Sequence, residues 1–553
     1  MVLANKEERA NTKNTQFTLG GLLEKQARIF GEKTFALFAD TSEITYSDLF
    51  DRACAVAKGM AAHGVGKGDR VAIQMPNCLD YLVVYFAIQA LGAIGVLVNA
   101  RFKTHELSHV VKHSDARMFF TTDVIDDHVN FVDLLSKTLP ELENAQYNQP
   151  LRLSAAPALD RVILCGDSQR TWTLSLDSLI EQGNSVSDTV LVGLSEETAQ
   201  DDIALMLYTS GTTAAPKGCQ LTHKGIFSSW GGYANAANVK SGETIWAPLP
   251  FFHVGGIGPL TAAMSKGASF LTATHFNPSG ALKQIRANKP EHLYPAFSLL
   301  MFQLLHTPGF TRQDLNCART MLCVAPTEAH YDMRELLPDH LIVMQVYGLT
   351  EGSGVVTITQ ADMPLDYRLS KNGVPLPNTE IRIVDPQTGK ALGADHDGEI
   401  QFRGHGAFHS YYKDDVATGS TLLDGNWVAT GDSGRLEKDG TLCFGGRIKD
   451  MLKVGGENVA AAEVEAFLSS HPAVKMSQIV GKQDKTYGEV PVAFIELRTG
   501  HEASEQELID FFEGRMAKFK VPRKVIFVTD WPMSATKIQK FKLRERLQPA
   551  SEQ

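Results

Sequence analysis

The stretch Tyr81–Val98, YLVVYFAIQALGAIGVLV, is broken only by Gln89 and two glycines. A run of this kind has to be hidden from water on every side. A membrane span would do that, but it needs roughly twenty apolar residues, and no basic cluster flanks the run to set its topology. The alternative is a covered α/β sheet. Gly92 suits a helix end, and Ile94, Val96 and Val98 are β-branched, which suits a strand. The run therefore predicts a buried helix over Tyr81–Leu91 and a buried strand over Ala93–Val98, with no stable membrane insertion.

The surroundings repeat that alternation. Strands are expected at Arg70–Gln74, Met118–Thr121, Ile203–Tyr208, Met321–Val324 and Leu341–Val346, with a helix at Thr104–His113. Strand and helix in turn indicate a helix-covered, mostly parallel sheet. From Thr430 the texture shifts to Gly- and Asp-rich turns, expected to form hairpins leading into a linker. Beyond lies a segment with a helix at Ala460–Ser469, strands near Val474–Val480 and Val490–Glu496, a helix at Glu505–Ala517 and a strand at Val525–Val528. A chain of 553 residues exceeds one hydrophobic core. The expected fold is α/β, with a large N-terminal domain (1–448) and a small mobile α+β domain (449–553).

Charge narrows the function. With 53 Lys+Arg against 63 Asp+Glu the net charge is −10, and no basic block is present. Nucleic acid is not an expected partner, and any phosphate ligand must be held by a local device. The seven cysteines form no CxxC pair, so buried free thiols and a reducing cytoplasm are expected. The polar opening MVLANKEERANTKNTQ lacks the apolar stretch of a secretory signal, and PASEQ is not a peroxisomal tripeptide.

One segment is dense enough to be that device. Tyr208–Gly218, YTSGTTAAPKG, follows an apolar strand and precedes a helix expected from His223. It offers the hydroxyls of Thr209, Ser210, Thr212 and Thr213, the glycines Gly211 and Gly218, and Lys217. Glycines let backbone N–H groups close on a ligand, hydroxyls donate, and the lysine supplies a point charge. It is not a Walker A loop, because Lys217 precedes the second glycine.

This loop resembles the signature loop of the adenylate-forming superfamily, which includes acyl-CoA synthetases, luciferases and peptide-synthetase adenylation domains. Further motifs follow in that family's order: Tyr347-Gly-Leu-Thr-Glu351, Thr430-Gly-Asp432, Gly446-Arg-Ile-Lys-Asp450 and Lys537-Ile-Gln-Lys540. The resemblance implies an ATP-dependent carboxylic acid–CoA ligase of the acyl-CoA synthetase branch, with ATP, Mg²⁺ and coenzyme A as its ligands. It also implies roles. Tyr347 would stack on adenine, with Gly348 beside it in the nucleotide site, Thr350 would meet the α-phosphate and Glu351 the Mg²⁺. Asp432 and Arg447 would hold the ribose. His253, in PLPFFHVGG beside Phe252, would border the acyl carboxylate as a positioning residue.

The resemblance further implies that Lys537 stabilises charge as the carboxylate attacks the α-phosphate. Thr536 stands where the family usually has glycine, and Lys540 and Lys542 are the alternates. Lys449 matches the hinge, and Gly455 and Gly456 a pantetheine-channel loop. Trp230 and Tyr233, on Gly225–Asn238, would shorten the acid pocket, although both could equally face the core. Val324 belongs to Cys323-Val-Ala-Pro-Thr327, which departs from the Gly-rich adenine-side loop. A small, medium-chain or aromatic acid is expected. A free-standing enzyme loading a carrier protein, a luciferase-like oxidative enzyme and a non-catalytic nucleotide-binding regulator stay open, as does a homodimer.

Overall fold

The apolar run divides as its composition requires. It forms helix Leu79–Ala90, in which residues 81–89 are all buried, and the fully buried strand Ile94–Leu97. Gly92 sits between them at φ +64, a backbone conformation that side chains beyond Cα disfavour. Among the described residues no helix is long and apolar enough to cross a membrane. This computed structural model describes residues 18–125, 127–209, 216–454, 457–534 and 537–547.

Strand Ile94–Leu97 lies inside an eight-stranded sheet. The order runs Ser410–Tyr411, Lys217–Thr222, Ile203–Thr209, Ile94–Leu97, Arg70–Gln74, Met118–Thr122, Arg161–Cys165, Thr173–Ser175. Pairs from Ile203–Thr209 to Thr173–Ser175 are parallel, and the first two strands add on antiparallel. A second, seven-stranded sheet runs from Ile342–Met344 through Thr320–Val324, His292–Phe297, Thr244–Trp246, Ser269–Thr272 and Thr34–Phe38 to Glu43–Thr45. It too is parallel, apart from its terminal hairpin. Burial on both faces explains why such strands read as unbroken apolar runs.

From Met451 a separate C-terminal domain begins. Its sheet contains Met451–Val454, Glu457–Ala460, Val474–Asp484, Gly488–Leu497 and Lys524–Phe527. Leu452, Val459, Val464, Leu468, Ile479 and Ile495 give it a core of its own. Helix Ala461–Ser469 packs against strand Leu442–Arg447 and helix Thr327–Leu336 of the large domain.

Three expectations needed correction. Leu341–Val346 is not one strand: Ile342–Met344 and Val346–Leu349 belong to different sheets. They part at Gln345, whose side chain accepts from the Ala325 N–H at 3.0 Å while its own N–H donates to Thr359 Oγ1. The stretch from Thr430 forms a hairpin as expected, although a single long one, Trp427–Leu436 with Leu442–Arg447. Its turn-like residues Thr430–Asp432 are carried where the pairing to Gly398–Gly404 shifts register. The second small-domain helix is only Glu505–Asp510, since Gly514 adopts φ +70 beyond it. The cysteines are free thiols, but Cys78, Cys317 and Cys443 are only half-buried.

Candidate active site

The strands flanking the Ser/Thr/Gly segment, Ile203–Thr209 and Lys217–Thr222, pair antiparallel, and the second of them intervenes before helix His223–Ala236. Thr209 pairs directly with Lys217, and Tyr208 with Gly218. Ser210, Gly211, Thr212 and Thr213 lie outside the described residues. Lys217 Nζ stands 5.1 Å from the centre of the Tyr411 ring, a cation–π contact. The Tyr411 hydroxyl in turn donates to Glu351 Oε1 at 2.6 Å. One aromatic residue thus brings the loop lysine and the motif glutamate together. Burial, reinforced by the Glu351 carboxylate, pushes the Tyr411 phenol well above its ordinary range, so it remains a donor. Sequence reasoning missed Tyr411: it sits on a two-residue strand that no periodicity announces.

The YGLTE motif spans a strand end and a 3₁₀ turn, Val346–Leu349 and Thr350–Gly352. Gly348 is exposed and lies so close to Gly354 that an added Cβ would come within 1.8 Å of its carbonyl oxygen. Thr350 and Glu351 are half-buried on the turn. The Tyr347 hydroxyl donates to Asp432 Oδ2 at 2.7 Å, and its ring lies beside Phe444, with centroids 5.6 Å apart. Burial and the Asp432 carboxylate hold the Tyr347 phenol protonated.

Asp432 is only 3% exposed, and its other oxygen, Oδ1, pairs with Arg447 Nε at 2.8 Å. Arg447 also donates to the Thr430 carbonyl at 2.9 Å. Tyr347, Asp432 and Arg447, from three separate segments, therefore form one charge-assisted cluster.

On the other flank, His253 caps helix Val254–Lys266, its Nδ1 accepting from the Gly255 N–H at 3.0 Å. Phe252 beside it is buried. The preceding turn is held by Asn77, which donates to the Leu249 carbonyl and accepts from the Phe251 N–H. Trp230 and Tyr233 are each 1% exposed. With Tyr294 they form a triangle of edge-on rings, centroids 6.0, 5.7 and 5.6 Å apart. The Trp230 indole N–H donates to the Ser353 carbonyl at 2.8 Å, and the ring fills space left by Gly258 and Gly354. The Tyr233 hydroxyl is buried with no hydrogen-bond partner among the described residues. Val324 ends strand Thr320–Val324, half-buried and paired with Phe297.

In the small domain the backbone puts Lys537 on a two-residue hairpin, paired with Ser534. Its alternates are placed differently. Lys540 is locked in a mostly buried ion pair with Glu465, at 2.5 Å and with side chains 15% and 16% exposed. Glu465 also accepts from the Ile479 N–H. Burial pushes the Glu465 carboxyl upward, and the Lys540 ammonium works against it. Lys542 reaches the Phe541 ring. Behind the hairpin, Gln539 donates to the Pro532 carbonyl at 2.7 Å and Arg544 pairs with Asp450 at 2.8 Å. Lys449 lies on the 3₁₀ turn Ile448–Asp450 between the two domains' strands, its ammonium pKa lowered by burial and by Arg447. Gly455 and Gly456 lie outside the described residues.

Comparison with known proteins identifies the family. Residues 23–412 match the model of the family described as AMP-binding enzyme, and residues 463–537 that of the AMP-binding enzyme C-terminal domain. YngI of Bacillus subtilis, which carries an acyl-CoA synthetase name, is 35% identical over 96% of this chain and 97% of its own. The mitochondrial medium-chain acyl-CoA ligase ACSF2 of Danio rerio is 30% identical over 91% of this chain and 83% of its own. Among solved structures, the anthranilate CoA ligase AuaEII in complex with anthranoyl-AMP superposes with a TM-score of 0.83 at 26% identity, covering 97% of both chains. The Bacillus subtilis O-succinylbenzoate coenzyme A synthetase MenE in complex with AMP gives 0.76 at 25% identity, covering 96% and 98%. The chain belongs to the AMP-binding enzyme family, in its acyl-CoA synthetase branch.

Proposed function

We propose that this protein joins a carboxylic acid to coenzyme A in two displacements. A carboxylate oxygen attacks the α-phosphorus of ATP and pyrophosphate leaves, giving an acyl-adenylate. The CoA sulfur then attacks the acyl carbon and AMP leaves. The observation that carries this reading is the pair of linked clusters: Lys217–Tyr411–Glu351 for the phosphates and Tyr347–Asp432–Arg447 for the ribose.

In this reading Thr209 and Lys217 hold phosphate oxygens and Thr350 meets the α-phosphate. His253 orients the acyl carboxylate, and Lys537 neutralises the charge that grows during attack. The engagement of Lys540 by Glu465 supports Lys537 as the lysine available for that task. Among the described residues no three His, Cys, Asp or Glu side chains gather as a metal cage. A lone Glu351 carboxylate fits Mg²⁺, which takes one or two carboxylates together with phosphate oxygens, and the ion would neutralise phosphate charge there. Lys449 serves as the hinge by which the small domain exchanges Lys537 for the thioester-forming face. The free thiols accord with a cytoplasmic protein.

For the acid, the Trp230–Tyr233–Tyr294 block supports a short floor to the pocket, hence a medium-chain or aromatic acid. Relatives named for medium-chain acyl groups and for anthranilate point the same way. A panel of carboxylic acids, scored by CoA-dependent AMP formation, tests the proposal. Turnover is expected to peak with medium-chain or aromatic acids. AMP release that ignores free CoA would favour a carrier protein as acceptor, and no AMP with any acid would overturn the ligase reading.

A further inference from the structure

Helix Thr104–Ser114 reaches both rails of the phosphate hairpin. His109 and His113 stand one turn apart on it, their rings stacked at 5.1 Å between centroids. His109 Nε2 lies 2.9 Å from the Pro216 carbonyl oxygen. A carbonyl only accepts, so this nitrogen carries the proton. His113 Nδ1 lies 2.9 Å from the Tyr208 hydroxyl, and both imidazoles meet the Tyr208 ring edge-on. At the helix end Asp115 accepts from the Tyr412 hydroxyl and pairs with Lys413, both at 2.6 Å. Tyr412 donates its N–H to the Gly218 carbonyl at 2.8 Å.

Tyr208, Pro216 and Tyr412 are each a chain neighbour of a residue assigned above to the phosphates. Tyr208 precedes Thr209, Pro216 precedes Lys217, and Tyr412 follows Tyr411. The helix itself is anchored by Leu107, Val110 and Val111, which are 0%, 0% and 3% exposed, while both histidines are only half-buried. The imidazoles are therefore spare to the packing of the helix and committed to the hairpin.

We propose that His109 and His113 are positioning residues for the triphosphate end of the nucleotide site. They touch no substrate; they set where Thr209 and Lys217 present their side chains. Lysine is a point charge on a flexible stem, so its aim depends on where its backbone is held. Small misplacements of a charge at a reacting phosphate are costly in rate. The inference rests on the ligase reading above and deepens it by naming what holds the phosphate-binding residues.

The test uses the full chain with His109→Ala, His113→Ala, the double variant and His109→Gln, whose side-chain amide can still donate to the Pro216 carbonyl. ATP affinity is measured by calorimetry, ATP KM by acid-dependent pyrophosphate exchange, and the second half-reaction from synthetic acyl-adenylate. His109→Ala is expected to weaken ATP binding and raise its KM about tenfold, the scale of one lost hydrogen bond near a charge. Thioester formation from acyl-adenylate and the melting temperature should stay near wild type, and His109→Gln should recover most of the loss. Unchanged ATP affinity in the double variant would overturn the proposal. So would an equal fall in both half-reactions together with the melting temperature, without rescue by glutamine. Wild-type protein that binds ATP but exchanges pyrophosphate with no acid would overturn the ligase reading instead, and the histidines would then be judged on ATP affinity alone.

Discussion

The large and small domains hold their functional groups by opposite means. In the large domain polar side chains at the site grip one another: Tyr411 holds Glu351, and Tyr347 and Arg447 hold Asp432. The grips of Tyr411 on Glu351 and of Tyr347 on Asp432 join segments far apart in sequence. In the small domain Lys537 rides on a two-residue hairpin, and the bracing lies behind it, in Lys540–Glu465 and Arg544–Asp450. That contrast suits the proposed reaction, in which one group must be present for the first step and withdrawn for the second.

Variants can break that contrast. The largest effect is expected from Lys537→Ala, which should cost on the order of 10³-fold in adenylation, as for a lost transition-state donor. Thioester formation from preformed acyl-adenylate should be largely spared. Full ATP–pyrophosphate exchange by this variant would remove Lys537 from its role.

Lys540→Met should act on folding instead. It leaves Glu465 buried without its partner, at a cost of about 3 kcal/mol. Denaturant unfolding followed by Trp531, which donates to Glu496 in the small domain, reports the loss. A variant as stable as wild type but inactive in exchange would reverse the assignments of the two lysines.

The large domain should reveal itself by pH. His223 is fully buried, and its Nδ1 accepts from the Leu19 N–H. Burial lowers its pKa from 6.5 to about 4. Between these values the unfolded chain binds the extra proton, so stability rises with pH across the window and falls as pH drops from 6.5 toward 4. The full difference is about 3 kcal/mol. Denaturation midpoints of wild type and His223→Gln, measured at pH 7 and pH 4.5, should diverge at neutral pH and converge in acid. Identical pH slopes would refute it.

Tyr411→Phe is the finest probe. It removes the donor to Glu351 while keeping the ring under Lys217, and should raise the apparent KM for Mg–ATP roughly tenfold, the scale of one hydrogen bond to a carboxylate. An unchanged Mg²⁺ dependence would show that Tyr411 is packing alone.

Much of this was legible before any fold was drawn. The apolar run predicted its helix and strand to within two residues, because a segment that must avoid water on all sides has few ways to fold. Arg70–Gln74 is matched residue for residue, its boundaries being set by chain punctuation. The strand at Leu341–Val346 failed for the converse reason. Only tertiary contacts to Ala325 and Thr359 make Gln345 leave one sheet for another. Tyr411 and the histidines of Thr104–Ser114 carried no local signal, since their partners lie in remote segments.

The motifs by themselves determined the family chemistry, because phosphate, ribose and a carboxylate each demand particular side chains at short spacing. Whether Trp230 and Tyr233 pack as a wall, which residue ties Lys217 to Glu351, and which lysine of KIQK is already paired were decided only in three dimensions. Each depends on burial or on a partner distant in sequence, and neither is written in the local order of residues.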